Sequence, residues 1–228
     1  RNTPVIIFVN KLDREGRDPF EILDELEAEL KIAVRPLSWP INIGAKFKGV
    51  YNIYEKSLDL FTPDKQRATE RVEIDDINDP RIDEAVGDVD AAKLREDLEL
   101  VEGVYPEFDV NDYLAGRTAP VFFGSALNTF GVKEMLDCFV KIAPEPRPVA
   151  ALERVVEPQE DAFSGFVFKI HANMDPNHRS CIAFVKVCSG KFERNAPYKH
   201  MRTGKTLRFA APTAFMAQKK SIVDEAYP

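Results

Sequence analysis

Val5-Ile6-Ile7-Phe8-Val9-Asn10-Lys11-Leu12-Asp13 is a run of five apolar residues followed at once by a polar loop. A continuous apolar run with β-branched side chains is typical of a strand buried on both faces of a parallel sheet. A helix start follows, with Asp18 as the N-cap, Pro19 in the first turn and Glu21 three residues after the cap. The order strand, loop, helix predicts one unit of an α/β sheet.

A second unit of the same kind lies further along the chain. Pro120-Val121-Phe122-Phe123 is a short apolar strand, and Gly124-Ser125-Ala126-Leu127 is its exit loop. The apolar residues from Val132 to Ala143 then repeat at helical spacing, and Pro144 ends the predicted helix. Two such units predict a doubly wound α/β sheet, in which ligands bind where the loops at the carboxyl ends of the strands meet.

The sequence between the two units is long and acidic. Residues 64–112 contain 17 acidic and 6 basic residues, with one predicted helix over Ala91–Val101. We interpret residues 35–117, approximately, as an insertion into an α/β domain that covers residues 1–148, and not as a separate globule.

The pattern changes after the proline-rich stretch that ends at Pro148. We predict a linker over residues 149–161. Residues 162–228 contain short strand-like runs with no helical period, which predict a β-barrel. The chain begins at the threshold of a central strand, and the barrel has too few strands to close. We therefore expect the sequence to be a fragment of a longer protein.

Charge and cysteine usage narrow the class of protein. The net charge is -7, yet residues 163–228 carry 11 Lys and Arg against 4 Asp and Glu. A basic module of this kind can face phosphate backbones. Cys138, Cys181 and Cys188 lie in apolar stretches without metal-ligand spacing, so we expect buried, reduced thiols in a cytoplasmic protein and no metal site. No apolar stretch is long enough to span a membrane.

The loop after the first strand resembles the Asn-Lys-x-Asp motif of GTP-binding proteins. Guanine presents two adjacent donors, and the ionised carboxylate of Asp13 would accept both in a charge-assisted pair. Adenine places an acceptor where guanine has a donor, so the same carboxylate rejects it. The resemblance further implies that Asn10 supports the loop and reaches the base edge, and that the aliphatic stem of Lys11 lies over the base.

The loop after the second strand resembles the Ser-Ala-Leu loop of the same domains. There, the backbone N–H of Ala126 would donate to the guanine carbonyl oxygen, and the Ser125 hydroxyl would brace the loop that carries Asp13. Leu127 completes the motif. Small residues suit this position because the backbone must approach the base closely. We therefore expect Asn10, Lys11, Asp13, Ser125, Ala126 and Leu127 to bind the base of GTP or GDP.

The catalytic parts of such domains have no counterpart here, so we assign no catalytic residue. Gly204-Lys205-Thr206 ends like a phosphate-binding P-loop, but Lys199 stands where its first glycine belongs and no helix is predicted to follow. Asp13-Arg14-Glu15-Gly16 matches a magnesium-side Asp-x-x-Gly pattern by chance. In the family the P-loop and the Mg²⁺-binding residues precede the Asn-Lys-x-Asp motif. Mg²⁺ and hydrolysis are therefore expected only in the intact protein.

The whole chain resembles the translational GTPases, and in particular the class II peptide chain release factors. The resemblance is carried by Phe163–Ile170, by the Ala172-Asn173-Met174-Asp175-Pro176-Asn177-His178-Arg179 run, by Val187–Glu193, by Arg202-Thr203-Gly204-Lys205 and by Glu225–Pro228. It implies the C-terminal half of a P-loop GTPase domain followed by a translation-protein barrel. It also implies a GTPase that binds the ribosome, through ribosomal RNA and proteins, and promotes dissociation of class I release factors.

Two alternatives keep part of this interpretation. One is a GTPase like elongation factor G or a ribosome-protection factor, which has the same chemistry and another partner. The other is a non-catalytic barrel module that binds the ribosome or RNA. For the barrel, the resemblance implies ribosomal RNA contacts, and the candidate cations are Lys169, Arg179, Lys186, Lys199, Arg202 and Lys205.

Overall fold

The computed structural model describes residues 3–62, 70–172, 181–216 and 219–228. The chain divides into two compact units, Arg1–Ala143 and Pro144–Pro228. The strands of the first unit are β1 (Ile7–Val9), β2 (Ala33–Pro36), β3 (Ser38–Ile41), β4 (Gly49–Asn52), β5 (Ser57–Leu60), β6 (Glu70–Glu73) and β7 (Thr118–Phe123). Its α-helices are α1 (Pro19–Leu30), α2 (Pro80–Val86), α3 (Asp88–Val104), α4 (Val110–Leu114) and α5 (Val132–Ile142).

The central sheet of the first unit is parallel, with the strand order β1-β7-β2. Alternate residues of β7 belong to different core clusters: Val121 and Phe123 pack with Leu23 of α1, whereas Phe122 packs with Cys138 of α5. Helices therefore cover both faces of the sheet, which confirms the predicted α/β class. Helix α1 begins where its sequence indicates, because the Asp18 side chain accepts a hydrogen bond from the N–H of Phe20.

Strand β2 corrects the expected start of the insertion. Arg35 and Pro36, which we had placed inside it, pair with Pro120 and Val121 of β7 and so belong to the central sheet. The short polar connection after α1 gave no signal that this strand returns to the sheet. The segment that follows β2 forms a separate antiparallel sheet in the order β3-β4-β5-β6 and then helices α2 to α4.

The inserted sheet shares its core with the central sheet. Trp39 of β3 is fully buried and lies between Phe20 and Phe123, with ring centroids at 4.6 and 5.6 Å. Its indole N–H donates to Asp97 of α3 at 3.1 Å. This continuity of apolar contacts stabilises the insertion against the α/β sheet.

The second unit is built from short antiparallel ladders. Its strands are β8 (Val149–Ala150), β9 (Val155–Val156), β10 (Ser164–Ala172), β11 (Cys181–Ser189), β12 (Phe192–Glu193), β13 (Tyr198–Lys199), β14 (Thr206–Leu207), β15 (Thr213–Met216), β16 (Lys219–Ile222) and β17 (Glu225–Ala226). The pairs are β8 with β9, β10 with β11, β12 with β17, β13 with β14 and β15 with β16. The β8–β9 hairpin lies in the segment that we predicted to be a linker.

The P-loop-like Gly204-Lys205-Thr206 lies in a tight hairpin. Tyr198 and Lys199 of β13 pair with Leu207 and Thr206 of β14, and no helix follows in the described residues. Gly204 has a φ of 67° in the turn, and nothing lies within 4 Å of the position that a Cβ would occupy. The segment is therefore a hairpin turn, as its β-rich context indicated.

The cysteines divide between core and surface. Cys138 and Cys188 are buried, whereas Cys181 is exposed at the start of β11, so the prediction that all three are buried was wrong for Cys181. The apolar run around Cys181 indicated a strand correctly, but strand periodicity does not show whether a given residue faces a core. Burial raises the pKa of the Cys138 thiol to about 11, which keeps it protonated.

A buried carboxylate distinguishes the inserted sheet. Asp59 of β5 is 1% exposed, and neither carboxylate oxygen has a hydrogen-bond partner in the described part of the chain. The pKa of Asp59 is raised to about 6, mainly by burial and then by repulsion from Glu134 and Glu55. Attraction to Arg71 and Lys133 opposes this increase. Ionisation of this group opposes folding.

We expect Asp59→Asn to stabilise the protein increasingly as the pH rises. Below the unfolded pKa the carboxyl is protonated in both states, and the destabilisation becomes complete above the folded pKa of about 6. The free energy of unfolding of the variant, relative to the natural protein, should rise by about 2 kcal/mol between about pH 4 and pH 7. Denaturant titrations at both values measure it, with exposed Asp24→Asn as the control. An unchanged pH dependence would refute the assignment.

Candidate functional site

The two loops that carry the predicted base-binding residues follow neighbouring parallel strands at the same edge of the sheet. Val9 of β1 lies beside Phe123 of β7 in parallel register, so Asn10 and Gly124 both follow directly at the carboxyl edge of the sheet. The N–H of Gly124 donates to Val9 O at 3.0 Å, and the N–H of Leu12 donates to Gly124 O at 3.1 Å. The parallel pairing thus continues into the loops and joins them.

Asn10 links the loops through its side chain. Its Oδ1 accepts hydrogen bonds from the N–H of Lys11 at 2.8 Å and from the N–H of Ala126 at 2.9 Å. The Asn10 side chain therefore connects the loop after β1 to the loop after β7. The Ala126 N–H, which we predicted to donate to a guanine carbonyl oxygen, donates to Asn10 Oδ1 in this structure. A base oxygen bound there has to displace Asn10 Oδ1 or share the same proton with it.

The Asp13 carboxylate has no hydrogen-bonding or ionic partner among residues 3–62, 70–172, 181–216 and 219–228, and the residue is half-buried. The turn that presents it is fixed by the hydrogen bond from Arg14 N to Lys11 O at 3.0 Å and by the left-handed φ of 71° at Lys11. The adjacent Leu12 side chain is buried in the core. An accessible, unpaired carboxylate on an anchored turn suits a ligand that offers two donors.

We had expected the Ser125 hydroxyl to brace the loop that carries Asp13, but it bonds within its own loop. Its Oγ accepts a hydrogen bond from Asn128 Nδ2 at 2.8 Å within its own loop. The residue is 1% exposed, and its backbone N–H and C=O both bond to Phe130 at 3.0 Å. The role of Ser125 is therefore to close its own loop. Leu127, in contrast, is 62% exposed beside it.

Gly124 shows why the second loop begins with a glycine. A Cβ at this position would lie 2.4 Å from Phe130 O and 2.8 Å from Cζ of Phe8. Contacts with a backbone oxygen at that distance do not occur in folded proteins, so any larger residue displaces the loop. The close approach of the two loops therefore depends on the missing side chain.

The inserted segment also contacts both loops, which the sequence did not reveal. Leu12 O accepts a hydrogen bond from the N–H of Gly44 at 2.8 Å, and the Phe130 ring packs edge-on against Phe47 and Phe61. The only local signal was the Ile43-Gly44-Ala45 turn between two strand-like runs. Its small residues indicate a close approach but do not identify the partner.

The described part of the chain contains no cluster of three His, Cys, Asp or Glu side chains that could hold a metal ion. None of the helices in those residues is long and apolar enough to cross a membrane.

Comparison with known proteins identifies the first unit. Residues 1–145 match the family model of the elongation factor Tu GTP-binding domain. The chain belongs to the translational GTPase family. Residues 162–228 match the model of elongation factor G domain 2, so the GTP-binding domain of this translational GTPase is followed by the family's β-rich second domain. The resemblance to translational GTPases is thereby confirmed.

A solved structure has the same fold. The match is to the crystal structure of ttk003000868 from Thermus thermophilus, at a TM-score of 0.62 and 17% sequence identity, covering 99% of this chain and 33% of that chain. The chain thus spans about one third of that protein's length. At this identity the similarity concerns the fold alone.

The cation candidates of the second unit lie on its surface. Lys169, Lys186, Lys199, Arg202 and Lys205 are exposed, whereas Arg179 and most of the Ala172–Arg179 run lie outside the described residues. Lys169 Nζ lies 5.8 Å from the centroid of the Phe184 ring. His200 has a partner that the sequence did not indicate, because its Nδ1 lies 2.7 Å from Thr203 Oγ1.

We expect Asn10→Ala to loosen the second loop selectively. The variant removes the acceptor for the Ala126 N–H, so hydrogen exchange of the Ala126 amide should become at least about tenfold faster, equivalent to about 1.4 kcal/mol of local opening. Amide exchange measured by NMR tests this. Asn128→Ala, which removes the bond to Ser125 Oγ instead, is the matched control. Equal protection of Ala126 in the Asn10 variant and the natural protein would contradict the role of Asn10.

Proposed function

We propose that Asn10, Lys11, Asp13, Ser125, Ala126 and Leu127 form the base-recognition part of a GTP site. The observation that carries this proposal is the unpaired Asp13 carboxylate on a turn joined to the Ala126 loop by hydrogen bonds at 2.9 and 3.1 Å. Asp13 accepts the two donors of the guanine edge. The Lys11 stem covers one face of the base, and Leu127 lies exposed beside the same loop.

Ala126 provides the contact that an acceptor on the base needs. Its N–H already points to an acceptor, Asn10 Oδ1, at the junction of the two loops. In the bound state the guanine carbonyl oxygen accepts a hydrogen bond from the Ala126 N–H, either in place of Asn10 Oδ1 or together with it. The side-chain amide of Asn10 turns toward the base edge. Adenine carries a donor at that position and an acceptor opposite Asp13, so both contacts oppose it.

The chemistry of hydrolysis is assigned to the intact translation factor. We propose that its substrate is GTP with Mg²⁺, held by a P-loop and an Asp-x-x-Gly loop whose functional sequences this chain does not contain. The described residues hold and select the base, and none of them is assigned a step at the phosphates. Binding by base contacts alone is weak, on the order of millimolar.

We further propose that the intact protein acts at termination, in the cytoplasm, and promotes dissociation of class I release factors from the ribosome. The support is the similarity of residues 163–228 to class II release factors and the exposed cations of β10 and β11, which suit contacts with ribosomal RNA. An elongation factor G-like translocase or ribosome-protection GTPase is the second candidate, favoured by the match of residues 162–228 to elongation factor G domain 2.

A ribosome assay separates these candidates. The full-length gene product with GTP is added to ribosomes that hold a class I release factor after peptide release, and to ribosomes before translocation. Faster dissociation of the release factor, without movement of tRNA, is expected for the termination factor. Translocation without release-factor dissociation would support the second candidate and overturn the termination assignment. A barrel module without turnover would show ribosome binding but no GTP hydrolysis in either assay.

We expect Asp13→Asn in the full-length product to exchange guanine for xanthine preference. The variant replaces one acceptor of the carboxylate by an amide donor, which matches the second carbonyl of xanthine. GDP binding should weaken about 10- to 100-fold, and XDP binding should strengthen. Calorimetric titration with GDP, XDP and ADP measures both.

The matched control for this change is Asp18→Asn. It removes the same charge five positions away, and asparagine still caps helix α1. Its affinity for GDP should equal that of the natural protein. A guanine preference that persists in Asp13→Asn would show that Asp13 does not recognise the base.

A further inference from the structure

The turn between β3 and β4 of the inserted sheet touches the Asp13 loop through its backbone. The N–H of Gly44 donates to Leu12 O at 2.8 Å, immediately before Asp13. The N–H of Ala45 points to the Glu15 carboxylate at 3.4 Å, two residues after Asp13. The recognition carboxylate therefore lies between two points at which the insertion holds its loop.

Gly44 suits this contact chiefly through its backbone conformation, and a side chain there would also meet Glu15. The φ of Gly44 is 66°, in the left-handed region. A Cβ on Gly44 would lie 2.2 Å from Oε1 of Glu15, so a larger residue has to push the Glu15 side chain away. Substitution of Gly44 thus acts on the segment that presents Asp13 without adding or removing a group that touches the base.

The second loop is held by the same turn through aromatic packing. Phe47, directly after the 3-10 helix Gly44–Lys46, lies 5.5 Å from Phe130 in an edge-on arrangement, and Phe61 lies 5.3 Å from the same ring. Phe130 in turn makes both backbone hydrogen bonds to Ser125. The turn therefore contacts the loop after β1 through Gly44 and packs against the loop after β7 through Phe47.

We propose that the turn Ile43–Phe47 is a positioning element. It fixes the position of the Asp13 carboxylate relative to the Ala126 N–H and so determines guanine selectivity. This inference rests on the proposed guanine site and adds a residue, Gly44, that does not contact the ligand. Bidentate recognition depends steeply on geometry, because a hydrogen bond weakens as its length and angle depart from their preferred values. The insertion supplies the rigidity that a short loop lacks by itself.

The test compares GDP with IDP in the full-length gene product. Inosine lacks the exocyclic amine of guanine, so the ratio of GDP to IDP affinity reports the second hydrogen bond to Asp13. Gly44→Ala should lower GDP affinity about tenfold and bring this ratio close to one. Gly204→Ala is the matched control, because Gly204 has nearly the same φ, 67°, and nothing within 4 Å of its Cβ position. It should leave the ratio unchanged.

The outcomes separate this inference from the proposed function. A natural protein that binds GDP no better than ADP would overturn the guanine site and this inference with it. A natural protein that prefers GDP, with the same GDP to IDP ratio in Gly44→Ala, would overturn the positioning role alone, even if that variant were less stable. Loss of stability by itself lowers all affinities and leaves the ratio intact.

A second variant covers the case in which Gly44→Ala does not fold. Glu15→Ala removes the acceptor for Ala45 N–H at an exposed position and should reduce the GDP to IDP ratio by about threefold. Glu15→Gln keeps an acceptor oxygen and should restore the ratio of the natural protein. Ratios that are equal in Glu15→Ala, Glu15→Gln and the natural protein would overturn the role of this contact.

Discussion

The two peptide groups of Leu12 hold the candidate site together. Its N–H donates to Gly124 O at the end of β7, and its C=O accepts from Gly44 of the inserted sheet, while its side chain is buried in the common core. One residue thus joins the loop after β1, the loop after β7 and the insertion. Because a buried peptide group without a partner costs about 1–3 kcal/mol, these bonds keep the three parts in one arrangement.

The loops around Leu12 contain residues in the left-handed backbone region, which residues other than glycine rarely adopt. Lys11, Gly44 and Gly131 all have φ values between 66° and 75°, and Gly124 lies against the Phe130 carbonyl. Such conformations persist where the surrounding structure determines them, and they are concentrated at binding sites. Here the surrounding structure is the fused core of the central and inserted sheets, with Trp39 packed between Phe20 and Phe123.

The elements that the sequence predicted are those with local causes. The cap at Asp18, the strand before Asn10 and the amphipathic helix after Gly131 depend on neighbours within a few residues, and the structure contains each of them. Strand β2 has no such local signature, because its place in the sheet is set by pairing with β7, in which Arg35 meets the distant Pro120. The assignment of Arg35 to the insertion failed for that reason.

The same distinction applies within the site. Asn10, Asp13 and Ser125 were predicted as site residues because they follow two strands. The partners of Asn10 and Ser125 depend on side-chain conformations that this spacing does not determine. Asn10 takes the Ala126 N–H, and Ser125 takes Asn128. The contact of Gly44 with Leu12 joins residues far apart in the chain and leaves no repeat or motif in the sequence.

These contacts couple the insertion to the loops after β1 and β7 within the first unit. If the Ile43–Phe47 turn positions the loops after β1 and β7, the free energy that couples the turn to a ligand on those loops is the same from either side. A ligand that fixes Asp13 and Ala126 must stabilise the Ile43–Phe47 turn by as much as the turn favours the ligand. Lys48, directly after that turn, pairs with Asp90 of helix α3 at 2.5 Å. The ion pair therefore joins helix α3 to the residue that follows the turn.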